Sequence, residues 1–187
     1  FVVKEKKSES WSLKSVVATV FGSLKNTISE IKKYQTVKQF LVARLVYNDA
    51  LITVFAFGGI YAASTIGFTF NEIMMLGVVL NVLAGVGAVT FGLIDDKVGS
   101  EKVIKWSVLF LMIACVIAFL SPEIPVFLKS LYGTDAMPDW INSKNLFWLA
   151  AILIGLFSGP NQSSSRSLMA RLTPAEKRNE FFFVYTP

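Results

Sequence analysis

The chain has 187 residues, 53% hydrophobic and 17% charged, with a mean hydropathy of +0.56. A soluble domain carries about a quarter charged residues; here the deficit is concentrated in four charge-free stretches, which excludes an ordinary globular enzyme. The net charge of +5 sits entirely on residues 1–38, with eight Lys and three Glu, while residues 39–187 balance ten basic against ten acidic side chains.

In chain order, the first element is the basic segment 1–38. Its opening is rich in Lys, Glu and Ser and lacks the apolar core of a signal peptide. Over 11–31, Leu13, Val16, Val17, Val20, Phe21, Leu24, Ile28 and Ile31 recur at steps of three and four. That spacing predicts an amphipathic helix, read either as an interfacial helix on an anionic leaflet or as a solvated connector. Because the lysines are interleaved with apolar residues, the expected partner is a membrane surface and not nucleic acid.

Residues 39–187 read as a transmembrane domain. The charge-free stretches 50–71, 73–94, 106–122 and 145–165 run 22, 22, 17 and 21 residues, and a spanning helix needs about 20. Spans are expected at about 40–65, 73–94, 103–120 and 146–170. The apolar residues from Phe181 to Pro187 read as the start of a fifth, so the chain has the look of a fragment. The expected fold is an all-α, polytopic transmembrane helix bundle. Basic residues cluster in the tail, in the 95–105 loop and after the fourth span. The positive-inside tendency places all three on the cytoplasmic side, and they alternate correctly with four spans. The expected location is a multi-pass protein of the plasma (inner) membrane, if bacterial. Glycines concentrate in the spans, and Gly155 and Gly159 have the small-xxx-small spacing of close helix packing.

Three constellations carry the candidate chemistry. The first surrounds the turn between the second and third spans: Gly92, Asp95, Asp96, Lys97 and Gly99. Gly99 suits a tight turn, and the aspartates lie beside a helix start, where negative charge is favoured. The second runs from Gly159 through Pro160, Asn161, Gln162 and three serines to Arg166 and Arg171. Pro160 removes a backbone donor, and polar side chains inside a membrane are functional candidates by default; interhelical hydrogen bonding is the other reading of Asn161 and Gln162. The third is Arg44, Tyr47, Asn48 and Asp49 on the first span. If that helix enters the membrane at Phe40, Asp49 lies about 13 Å deep, near the midplane; if it enters at Ala50, Asp49 is a boundary residue. Buried in this way, Asp49 is a candidate proton carrier, with Asn161 and Gln162 the expected partners.

The 92–99 stretch resembles the G-x-x-x-D-[RK]-x-G signature of Major Facilitator Superfamily permeases, with Gly92, Asp96, Lys97 and Gly99 in register. Ser100 and Glu101 stand where that signature usually has a basic pair. Ala43, Arg44, Tyr47, Asn48, Asp49, Gly58, Gly59, Tyr61 and Ala62 resemble the branch related to the vacuolar amino-acid effluxers of yeast autophagy. So do Asp95, Asp96, Gly99, Gln162, Ser165, Arg166, Ala170, Arg171, Pro174, Glu180 and Phe181. Ala50 and Phe183 depart from it, at places that branch tends to fill with glycine.

The resemblance implies the second half of a secondary transporter for a small solute, an amino acid among the candidates. The tail would then be the central cytoplasmic loop, and residues 92–99 a cytoplasmic gate. Its partners would be the solute, the bilayer, a coupling proton and the other half of the transporter. The competing expectation is a non-transporting scaffold of the same fold. With no His and the single Cys115 in mid-span, no catalytic residue, metal site or cofactor is expected.

Overall fold

The computed structural model describes residues 22, 29, 31, 33–133, 138, 140–174, 181 and 185. The stripe expected over 11–31 and the fifth apolar segment expected from Phe181 fall almost wholly outside these residues.

Every element among the described residues is helical. Helix α1 (Gln35–Tyr61) runs into a π-helical turn, Ala62–Ile66, and is followed by α2 (Phe70–Val98), α3 (Ser100–Leu120), a short α4 (Glu123–Tyr132) and α5 (Ser143–Leu172). Among the described residues, three segments are long and apolar enough to cross a membrane: Gln35–Ile66, Phe70–Val98 and Ser100–Leu120. The fourth expected span falls on α5, whose 30 residues extend about 45 Å at ~1.5 Å per residue. Its apolar character is diluted by Pro160, Asn161, Gln162 and the serines at 163–165.

Position explains how α5 tolerates those residues. Its buried residues include Ala150, Ala151, Ile154, Gly155, Phe157, Ser158, Asn161, Ser164 and Ser165, which form one continuous face about 180° wide. A face packed against other helices need not be as apolar as one facing lipid. Around its middle, Ile154 and Phe157 pack with Leu51 of α1 and with Leu111 and Ala114 of α3. The Phe157 ring stacks on Phe110 at 4.5 Å and meets Phe91 edge-on at 5.4 Å. The outer faces carry exposed Leu45, Ile52, Phe57, Val78, Val82, Val89, Leu109, Met112 and Val116. Such a continuous apolar surface suits hydrocarbon and would aggregate in water.

The two ends of the bundle are fastened differently. At one end the π-helical turn closes at Gly67, and Thr69 caps α2: its side chain accepts from the Glu72 backbone N–H while the Thr69 N–H donates to Glu72 Oε2 at 2.7 Å. Lys144 at the start of α5 reaches Glu72 at 2.9 Å and sits 5.6 Å from the Phe68 ring centre. Beneath lies a cluster of Ala62, Ile66, Phe68, Leu76, Phe147 and Ala151. At the other end α2 and α3 are joined by Gly99 alone, at φ 93°, a backbone conformation with ready access only for glycine. Helix α4, absent from the sequence expectations, fills part of the 121–144 connection. Its ten residues are too few to span, so a search for spans passes over it.

The chain divides into two compact units: Phe1–Val42 with Leu172–Pro187, and Ala43–Arg171. Among the described residues of the first, Tyr34 meets Phe181 edge-on at 5.8 Å and Phe40 stacks on Tyr185 at 6.5 Å. The candidate site lies wholly within the second.

Candidate functional site: a polar groove along α5

The site begins with the crossing of α2 and α5. Pro160 has no N–H to offer the Leu156 carbonyl one turn back, and that carbonyl lies against Gly87 of α2, where a Cβ would collide with it. Gly159 abuts the Ala84 carbonyl in the same way, and a Cβ on Gly155 would stand 3.0 Å from Leu83 Cβ and 3.1 Å from Leu80 O. The glycine spacing expected to bring helices together therefore does so, at Leu80–Gly87. The carbonyl released by the proline faces an apposed glycine backbone, where weak Cα–H···O contact is available.

Beside this crossing lies a groove with a cavity volume of about 480 Å³. Phe55 of α1 and Leu80, Ala84 and Ala88 of α2 form its apolar wall; Asn81 of α2 and Ser158, Gln162, Ser163 and Arg166 of α5 form its polar one. Ala84 is the middle residue of α2, so the groove lies half-way along that helix. Serine hydroxyls are partly turned inward on the helix: Ser158 donates to the Gly155 carbonyl at 2.9 Å and Ser163 to the Pro160 carbonyl at 3.2 Å. Asn81 donates to the Gly77 carbonyl at 2.8 Å, leaving its side-chain oxygen as an acceptor.

Of the residues singled out from the sequence, Gly159, Gln162, Ser163 and Arg166 line this groove. Asn161 does not: it is 1% exposed, points into the bundle, and among the described residues neither its side-chain nitrogen nor its oxygen has a hydrogen-bond partner. Tyr47 reaches α5, its hydroxyl 2.7 Å from Ser165 Oγ. Ser165 itself donates to the Asn161 carbonyl, so Tyr47 is the donor in that pair. Asn48 and Arg44 are half-buried. Asp49 lies well inside the continuous helix Gln35–Tyr61. The expected pairing of Asp49 with Asn161 and Gln162 is absent, however. Two residues beyond Tyr47, it is turned about 200° from the face that meets α5, and its side chain is exposed.

The 92–99 turn has its own geometry. Asp95, Asp96 and Lys97 form the last turn of α2 and do not lie at the start of α3, and Gly99 N–H donates to the Asp95 carbonyl at 2.9 Å. Asp96 Oδ1 lies 3.8 Å from Arg171 of α5, so the basic partner comes from the far end of another helix. Glu101 instead pairs with Lys105 at 2.6 Å, which holds its carboxyl below the usual range. Asp95 is 5% exposed, and its Oδ1 has no hydrogen-bond partner among the described residues.

Sequence reasoning missed Asn81 and Ser158 as groove residues. A single amide within an apolar run was the available signal for Asn81; for Ser158 there was only its place beside Pro160.

Residues 1–186 match the family model described as vacuole effluxer Atg22-like. The chain is also 25% identical over 170 residues to an uncharacterised MFS-type transporter, YxiO, of Bacillus subtilis (strain 168), covering 91% of this chain and 35% of that protein. The chain thus spans about a third of the length of that relative. No solved structure matches.

Proposed function

Because the chain belongs to the vacuole effluxer Atg22-like family, within the Major Facilitator Superfamily, we propose that it forms part of a secondary active transporter that moves a small solute, an amino acid among the candidates, by alternating access. The observation that carries this is the groove: amide, hydroxyl and guanidinium groups of α5 gathered against the middle of α2, beside a proline and closely apposed glycines. Polar groups at that depth are costly unless they serve a solute, an ion or one another, and carriers of this kind bind near the midplane.

The chain is read as an integral, multi-pass part of the plasma (inner) membrane, with the basic N-terminal segment cytoplasmic. Residues 92–99 and Arg171 then form a cytoplasmic latch. Asp49 is the proposed coupling carboxylate: its exposed face, turned from α5, is free to meet the remainder of the transporter.

The test is solute accumulation by the complete transporter in proteoliposomes, with an imposed proton gradient, across a panel of amino acids. Accumulation that collapses with the gradient supports the proposal. A protein that inserts and folds but moves no solute in either direction, and exchanges none, is a scaffold.

A further inference from the structure

The groove also carries a preference for one class of solute. Among its lining residues there is a single full charge, the Arg166 guanidinium, and no carboxylate. No acidic group lines the groove with it: Glu72 is engaged by Lys144, Asp96 by Arg171 and Glu101 by Lys105, while Asp95, buried in the last turn of α2, and Glu123, at the start of α4, both lie outside the groove lining. Asp49 points off the α5 face. Among the described residues Arg166 has no ion-pair partner, although a guanidinium offers five donors in a planar fork shaped for a carboxylate. Arg166 is exposed to the groove and lies five residues, about 7.5 Å, before Arg171 on α5; for its donors an anion is a stronger acceptor than water.

On the reading of the groove as the solute site, we infer that it recognises a small monocarboxylate, whose carboxylate pairs with Arg166. The solute's apolar portion lies on Phe55, Leu80 and Ala84, and Gln162 and Asn81 hydrogen-bond any further polar group. One cation matches one negative charge; a phosphate dianion would call for a second cation, and the wall has none. The wall likewise holds no anion for an ammonium group, so an amine is tolerated through neutral acceptors and not required. The volume of about 480 Å³ falls within the range of small-molecule sites, roughly 300–1,000 Å³.

The experiment measures ligand-induced thermal stabilisation and uptake with the complete, purified transporter. The probes share one branched apolar tail: L-leucine (carboxylate and amine), isocaproate (carboxylate only), leucine amide and isoamylamine (amine only); inorganic phosphate is added as a second anion. L-leucine and isocaproate should both bind, at least about tenfold more tightly than the amine-only probes, because charge-assisted hydrogen bonds are lost with the carboxylate. Arg166→Gln should remove that difference and Arg166→Lys should restore part of it. The comparison among probes on the unmodified protein stands even where a variant fails to fold. Equal binding of amine-only probes, stronger binding of phosphate, or no stabilisation by any carboxylate overturns the inference. Carboxylate-independent uptake would overturn it while leaving the transporter reading intact. Carboxylate binding without any transport would do the reverse.

Discussion

At the residue scale, the tightest constraint is the absence of side chains on Gly87 and Gly159. A methyl group at either would occupy space held by a backbone carbonyl of the facing helix, Leu156 or Ala84, and backbone cannot rotate aside as a side chain can. Gly159→Val and Gly87→Val should each destabilise the bundle by about 1–3 kcal/mol or more through overpacking. Gly77→Ala and Gly85→Ala, with nothing within 4 Å of the new methyl, should be neutral or mildly stabilising. Thermal unfolding in detergent separates the two pairs.

Glu72 gives a second residue-scale test. Thr69 N–H, then Lys144 and the Thr69 hydroxyl, hold its carboxyl at about 2, against an ordinary 4.5; it stands ahead of the charge-free 73–94 run. A depressed folded-state pKa stabilises fully above the unfolded value and is lost as pH falls through the folded one. The melting-temperature gap between the unmodified protein and Glu72→Gln should therefore be flat from pH 5 to 8. It should shrink between about pH 4.5 and 2; a gap already gone at pH 5 would show that the carboxylate makes no such bonds.

At the element scale, α5 decides how much could be read in advance. Helices α1, α2 and α3 were legible because lipid demands long apolar runs, and Gly99 ends α2 where a turn glycine was expected. The groove was only half legible. Gln162 and Arg166 stood out as polar side chains in an apolar context, but Asn81 joins them only because α2 packs at Gly155 and Gly159, and no periodicity within α5 names its neighbour. The direction of Asp49 was likewise hidden until the Tyr47–Ser165 hydrogen bond fixed the rotation of α1 against α5. Tyr47→Phe tests that link. Removing one hydroxyl from a pair between helices in a membrane should cost about 0.5–1.5 kcal/mol, read as a lower unfolding temperature with insertion unchanged.

The latch between α2 and α5 belongs to the same scale. Asp96 and Arg171 are mostly exposed and 3.8 Å apart, so the pair adds at most about 1 kcal/mol to stability. Asp96→Ala should leave unfolding temperature and membrane insertion near those of the unmodified protein while lowering uptake by the complete transporter. Unchanged uptake at normal expression would reduce the 92–99 segment to a turn.

At the scale of the whole molecule, a helix bundle with an apolar exterior and a polar seam along its central helix is organised around access to that seam. In a carrier, the seam opens to one side of the membrane and then to the other as one bundle rocks against its counterpart. In a scaffold, it stays sealed by whatever packs on it. The measurement that separates these is cysteine accessibility in the complete transporter with Cys115→Ala as background. Asn81→Cys and Gln162→Cys would be labelled by a membrane-impermeant maleimide applied to one face of the membrane at a time, with and without saturating solute. Alternating access predicts labelling of both positions from each side in turn, with solute shifting the balance between sides. Labelling confined to one side under every condition, or at neither side, would contradict it.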